Sequence, residues 1–254
     1  MPFAHNQDLR IHYTIEGKGP PLVLQHGFSW SADAWRICGY ADALRDRFTL
    51  IAIDARGHGK SDKPHDPAAY QLAEQAKDVV CVLDDLRLKS AAYWGYSMGG
   101  RIGFALARDH LYRFSHLVIG GAHPFARILP QRARTTDPDE FIRVLYARTG
   151  GRLDSLPPDM KRILYDNDFA ALDAATQDWP SLADVVPDLN VPTCLYVGRE
   201  DAYLEKMQSY ATELPTAQPL ISLPGLNHTT AFTASRSVLD ALTPCLNGIH
   251  PSTA

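Results

Sequence analysis

Cysteine is scarce in this chain of 254 residues. There are four, Cys38, Cys81, Cys194 and Cys245, and none forms a C-x-x-C pair. Zinc ribbons and dithiol redox motifs need thiols at short spacing, so both are excluded. Three of the four sit among apolar residues, which predicts reduced, buried thiols rather than a disulfide framework. Long hydrophobic runs are also missing: none approaches the ~20 residues that cross a bilayer. Residues 1–8, MPFAHNQD, hold neither a basic nor an apolar targeting region, so a soluble, cytoplasmic chain is expected. Charge of one sign is nowhere concentrated; the net charge is -4, and no basic block offers phosphates a binding face. Nucleic acid is therefore not an expected partner, and neither is a membrane. What remains, 45% hydrophobic and 21% charged, is an ordinary globular chain long enough to bury one large core.

Along that chain, short apolar runs alternate with longer stretches of helical period, the pattern of a mostly parallel sheet covered by helices. Strands are predicted at 9–15 (an edge), 22–25, 48–53, 91–94, 117–119, 193–198 and 220–223. Helices are predicted at 34–44, 72–86, 101–108 and 235–246. Within 72–86 the apolar residues Leu72, Ala76, Val79, Val80, Leu83 and Leu86 recur at helical spacing. Residues 124–187 differ. They hold no strand-like run, several helical stretches (140–148 and 160–166 among them) and repeated prolines, as expected of a small helical insertion. The division is then 1–123 and 188–254 for the sheet-bearing core and 124–187 for the insertion.

Chemistry concentrates in the loops that follow strands. Gly95-Tyr96-Ser97-Met98-Gly99 is a G-x-S-x-G segment between a strand and a helix. Such a turn lifts the serine clear of the sheet, and a Cβ at either glycine would clash. The serine itself is expected to hold strained backbone. His26-Gly27-Phe28 follows the 22–25 strand, with Gly27 expected to turn the chain so that the Phe28 N–H faces the serine. Paired with the N–H of Met98, it would make an oxyanion hole; His26 is expected to brace that loop without touching substrate.

Ten histidines compete for the role of base. His5, His12, His65, His110 and His250 fall in exposed-looking or terminal positions, His116 opens a strand, and His58 lies in a loop that reads as structural. His228 lies after the last predicted strand, on the carboxyl edge of a parallel sheet, the edge that also presents Ser97. Asp201, just past the 193–198 strand, is the carboxylate available at that edge, with Glu200 as a solvated neighbour. The loop after Ile119 (Gly120-Gly121-Ala122-His123) carries no carboxylate. The order Ser, Asp, His matches one known triad order.

Taken together, Gln25-His26-Gly27, the segment Asp54-Ala55-Arg56-Gly57-His58-Gly59-Lys60-Ser61, Gly95 to Gly100, Gly198-Arg199-Glu200-Asp201 and Asn227-His228 resemble the α/β-hydrolase superfamily. The likeness is to its compact bacterial esterase, lactonase and cofactor-free haloperoxidase-like members, and it covers nearly the whole chain. It implies an eight-stranded, mostly parallel sheet flanked by helices, with a small helical cap after the sixth strand. Position by position it makes Ser97 the nucleophile, Asp201 the acid, His228 the base, and Phe28 and Met98 the oxyanion donors. Asp54, Arg56 and His58 become structural. No cofactor and no metal is implied. Haloalkane dehalogenases and epoxide hydrolases of this superfamily carry Asp where Ser97 stands, so their chemistries are disfavoured.

The expected activity is hydrolysis of a small or medium carboxylic ester or lactone through an acyl-enzyme on Ser97. The same triad also serves thioesterases, perhydrolases and carbon–carbon bond hydrolases. A receptor-like protein with vestigial hydrolysis is the alternative of another class. Phe125, Phe141, Tyr146, Tyr165, Phe169 and Trp179 lie in the insertion, and most are expected to form its own core. Trp30, Tyr96, Phe125, Tyr146 and Trp179 are the pocket candidates.

Overall fold

The computed structural model describes residues 2–127, 135–149, 153–216 and 219–250. Eight strands form one sheet: β1 (Phe3–Asn6), β2 (Leu9–Gly17), β3 (Pro21–Gln25), β4 (Thr49–Ile53), β5 (Ala91–Tyr96), β6 (Phe114–Gly120), β7 (Thr193–Gly198) and β8 (Ile221–Leu223). Their spatial order is β1-β2-β4-β3-β5-β6-β7-β8. β1 and β2 run antiparallel to their neighbours, and every pairing from β4 to β8 is parallel. The expected edge strand at 9–15 is therefore the second strand, and β1 is the edge. β1 is four residues long and too short to show alternation.

Inner strands are buried on both faces, so they read as continuous apolar runs. β3 shows how the faces divide. Val23 joins a cluster with Ile51, Ile53, Tyr93 and Ile102, while Leu22 and Leu24 join Leu50, Trp94, Trp35 and Tyr40 on the other face, as a period of two requires. The first face is covered by α3 (Leu72–Asp85) and α4 (Met98–His110), the second by α1 (Asp33–Ile37), α2 (Tyr40–Leu44) and α10 (Ser235–Asn247). The single helix expected over 34–44 is broken, because Gly39 takes φ +86° between α1 and α2.

Between β6 and β7, besides short 3-10 turns at Leu153–Ser155 and Ala183–Asp188, the described residues form α5 (Pro138–Thr149), α6 (Pro158–Tyr165) and α7 (Phe169–Ala175). The last was not expected; Asp168 caps it by accepting from the Ala171 N–H. Residues 128–134 and 150–152 of the expected insertion lie outside the described residues. Downstream, α8 (Leu204–Ala211) follows β7 and α9 (Thr230–Thr233) precedes α10. No helix of the described residues is long and apolar enough to cross a membrane.

Two expectations need correction. Cys194 and Cys245 are not reduced thiols: they form a disulfide joining β7 to α10, while Cys38 and Cys81 are free. Fifty-one residues separate the pair in sequence, and only the packing of α10 on the sheet brings them together. His12 is not exposed. It lies on β2 with its ring buried, and Nδ1 is 2.8 Å from Asp54 Oδ2.

Candidate active site

β3 and β5 are neighbours, yet the chain runs from β3 to β4 on one side and later enters β5 on the other. Such a switch point leaves a crevice at the carboxyl ends of the strands. The turn after β5 stands there. Ser97 has φ +53°, ψ −108°, a conformation rarely accessible to a non-glycine residue. Its neighbours show why the turn needs glycine. A Cβ on Gly95 would stand 2.3 Å from the Gly99 carbonyl oxygen, and one on Gly99 would stand 2.2 Å from that of Gln25. The Ser97 N–H donates to the Gly120 carbonyl (2.8 Å), and the Tyr93 hydroxyl to that of Gly99 (2.7 Å).

The loops after β7 and β8 are tied together: the Arg199 N–H donates to Leu223, and the Glu200 N–H to Leu226. Gly198 permits this approach, since its Cβ would meet the Leu226 oxygen at 2.0 Å. Asp201 is buried; its Oδ1 accepts from the Tyr203 N–H, leaving Oδ2 2.7 Å from His228 Nδ1. On the far side of the ring, His228 Nε2 is 2.8 Å from Ser97 Oγ. A carboxylate only accepts, so Nδ1 carries the proton and Nε2 is the acceptor facing the serine hydroxyl. Glu200 is exposed, as expected of a solvated neighbour. The three side chains expected to act together thus form one continuous hydrogen-bonded line.

Opposite them runs the loop after β3. Two neutral histidines brace it. His26 Nε2 accepts from the Ala55 N–H (3.0 Å) and its Nδ1–H donates to the Gly27 carbonyl (2.7 Å). His58 Nε2 accepts from the Ser29 N–H (3.1 Å) and its Nδ1–H donates to Arg56 (3.0 Å). Burial lowers His26 and pushes His58 down to about 3, so both rings can accept from backbone N–H groups near neutral pH. The left-handed residue of the loop is Ser29 (φ +66°), not Gly27. What Gly27 contributes is proximity, its Cβ position being 3.5 Å from Ser97 Cβ. Among the described residues, neither the Phe28 nor the Met98 N–H donates to a protein acceptor.

A cavity opens beside Ser97 and His228. Trp30, Tyr96, Tyr146 and Trp179 line it, as do Phe28, Leu145, Tyr203 and Arg127. Phe125 does not. Its ring packs near His123 and Tyr210, on the cluster beneath the sheet edge. Phe141 and Phe169 meet edge to face inside the protein, and Tyr165 is exposed. Tyr203 and Arg127 are among the lining residues that escaped the sequence reading. Tyr203, whose ring meets the His228 ring edge-on at 5.2 Å, lies two residues past Asp201, a signal that was available. Arg127 carried none. Among the described residues, no cluster of three or more His, Cys, Asp or Glu could hold a metal ion.

A serine hydroxyl, an imidazole and a carboxylate in line beside a largely aromatic cavity is an arrangement able to carry out acyl transfer. Known proteins are similar to this chain in sequence and in fold. A family model described as alpha/beta hydrolase fold matches residues 20–208. Haloalkane dehalogenase 2 of Mycobacterium tuberculosis (strain H37Rv) is 34% identical over 179 residues, 68% of this chain and 55% of that protein. The chain spans about half the length of the curated relatives it matches. Among solved structures, Est816, an N-acyl homoserine lactone degrading enzyme, is 27% identical with a TM-score of 0.79, covering 96% of this chain and 99% of its own. The esterase RhEst1 from Rhodococcus sp. ECU1013 has a TM-score of 0.80 at 24% identity, covering 97% and 98%, a likeness of fold.

Proposed function

Since this chain belongs to the α/β-hydrolase family, we propose that it is a serine hydrolase of small to medium carboxylic esters or lactones. The observation that carries the reading is the line from Asp201 through His228 to Ser97, with contacts of 2.7 and 2.8 Å. Ser97 Oγ attacks the substrate carbonyl carbon as His228 Nε2 takes its proton. The N–H groups of Phe28 and Met98 hold the resulting oxyanion. Collapse expels the alkoxide, which leaves with the proton from His228, and the acyl group stays on Ser97. His228 then takes a proton from water, whose hydroxide cleaves the acyl-enzyme to acid and free serine. Asp201 holds the imidazole tautomer and balances the imidazolium. Residues 124–187 act as a cap on this site, and residues 1–123 and 188–254 form the catalytic core.

Lactones are favoured within this class by the likeness to Est816, which spans nearly the whole of both chains. The dehalogenase likeness does not carry its activity here. Displacement of halide by a serine would leave an ether, which water does not cleave, whereas a carboxylate nucleophile leaves a hydrolysable ester. Ser97 therefore points to acyl chemistry.

The test is turnover of a chain-length series of p-nitrophenyl esters and of γ-lactones by wild type, Ser97→Ala and Asp201→Asn. Short substrates should turn over, with a loss of about 10⁶-fold for Ser97→Ala and about 10⁴-fold for Asp201→Asn. Undiminished activity in folded Ser97→Ala protein would overturn the mechanism.

A further inference from the structure

The loop after β3 is held in a shape that its own sequence does not favour. The Trp30 N–H donates to the Gly27 carbonyl (3.2 Å), so Phe28 and Ser29 are the central residues of a tight turn. Ser29 takes φ +66° there and is buried. A positive φ at the second central position suits glycine, and a residue with a Cβ adopts it only under constraint. Phe28 is the residue whose N–H the proposed mechanism aims at the oxyanion. Both residues belong to one turn, so whatever constrains Ser29 also orients that N–H.

The constraint comes from two directions. The Ser29 N–H donates to His58 Nε2 (3.1 Å), and the Ser29 hydroxyl to the Phe28 carbonyl (2.6 Å). Both contacts fix the peptide that precedes Ser29, and both come from the sheet-bearing core. The peptide that follows Ser29 is held from the insertion: its carbonyl accepts from Asn167 Nδ2 at 2.8 Å. Asn167 lies between α6 and α7, 138 residues away in sequence. The same nitrogen is 2.9 and 3.1 Å from the Ile163 and Leu164 carbonyls near the end of α6. Carbonyls only accept, so the amide must turn its NH2 group to this cluster. Nearby contacts seat this end of the insertion on the core. His65 Nε2 is 2.9 Å from Asp168 Oδ2, and the Phe28 and Phe141 rings lie 6.1 Å apart. Asn167 does not line the cavity beside Ser97.

We propose that Asn167 is a positioning residue for the reaction: it locks Ser29 in the left-handed conformation and so holds the Phe28 N–H towards the oxyanion formed at Ser97. The oxyanion hole is then complete only while α6 and α7 are seated on the core. This inference rests on the serine-hydrolase reading above. Its effect falls on kcat, because the oxyanion develops in the transition state and is absent from the bound substrate.

The test is a double-mutant cycle on p-nitrophenyl esters, with Asn167→Leu, Ser29→Gly and the two combined. Leucine keeps the shape of asparagine without the donor, and Asn167→Ala serves if the leucine protein folds poorly. Removing an oxyanion donor outright costs about 10²–10³-fold in kcat. Loosening one through Asn167 should therefore cost about tenfold in kcat, with KM little changed. Glycine adopts a positive φ without penalty. In the Ser29→Gly background the same Asn167→Leu change should thus cost at most about twofold. The pH dependence should keep its form, because the substitution touches neither His228 nor Asp201. An equal loss in both backgrounds would mean that Asn167 supports α6 alone, and would overturn the inference. An unchanged kcat in active protein would overturn it too and leave the hydrolase reading standing. Folded wild type that turns over no ester or lactone would overturn the hydrolase reading and this inference together.

Discussion

The hydroxyl of Tyr96 donates a hydrogen bond to the backbone carbonyl of His228. The residue just before Ser97 thereby holds the loop that carries the imidazole, and the two halves of the site are linked through buried structure as well as through Ser97 Oγ. The Tyr96 ring also packs 5.5 Å from the imidazole.

Tyr96→Phe keeps that ring and the cavity wall but removes the donor. The buried carbonyl left unmatched should cost about 1–3 kcal/mol of stability. Looser positioning of His228 should lower kcat about tenfold while KM changes little. Denaturant melts and steady-state kinetics on an ester substrate give both numbers; a rise in KM with kcat unchanged would mean that Tyr96 contacts substrate only.

Gly99→Ala should be among the most damaging single-methyl additions in the chain. The new Cβ would fall 2.2 Å from the Gln25 oxygen on β3, which is held between β4 and β5. Overpacking of about 3 kcal/mol or more is expected, seen as a large drop in Tm or in soluble yield. Gly225→Ala is the control. Its φ of +69° carries a backbone penalty of about 1–2 kcal/mol, but no atom lies within 4 Å of the added methyl.

Acid should destabilise this protein well above the range where carboxylates titrate. His26, His58 (about 3) and His123 (about 4) all have imidazoles lowered in the folded state, chiefly by burial. The unfolded chain takes up protons at these residues near their ordinary value of about 6.5, while the folded chain does not. The stability they confer is complete above that value and falls as pH drops from there towards 3–4. Each contributes a slope of up to ~1.4 kcal/mol per pH unit. Urea midpoints at pH 7.5, 6.0 and 5.0 measure it, and a flat midpoint over that span would contradict the buried neutral histidines.

The Cys194–Cys245 bridge closes a loop across β7 and α10. Two free thiols, Cys38 and Cys81, should be titratable in the unreduced, denatured protein, and four after reduction. Replacing both bridged cysteines should lower stability by about 2–4 kcal/mol. Four free thiols before reduction would show that the bridge does not form under those conditions.

Much of the sheet was legible because buried parallel strands leave short apolar runs bounded by glycine and polar turns. The β7 bounds of 193–198 came out unchanged. Other boundaries shifted: α4 begins at Met98 rather than 101 because the helix starts directly on the strained serine. Strand β1 was missed for want of length, and α7 because its apolar residues sit in a short run without a full helical period. Ser97, Asp201 and His228 were legible for a geometric reason. In a parallel sheet every strand delivers its following loop to the same edge, so residues distant in sequence can be assigned to one place.

The sequence by itself determined the backbone grammar of this protein: which runs are strands, which turn needs glycine, and which polar residues follow a strand at the carboxyl edge. Those features depend on local sterics and on the period of burial, and both are written in consecutive residues. Tertiary structure alone decided which side chains face one another. It turned Phe125 away from the cavity, paired Cys194 with Cys245, buried His12 against Asp54 and set Arg127 on Trp179 beside Arg101. Each of these depends on how elements tens of residues apart pack together, and local period and propensity carry no record of that.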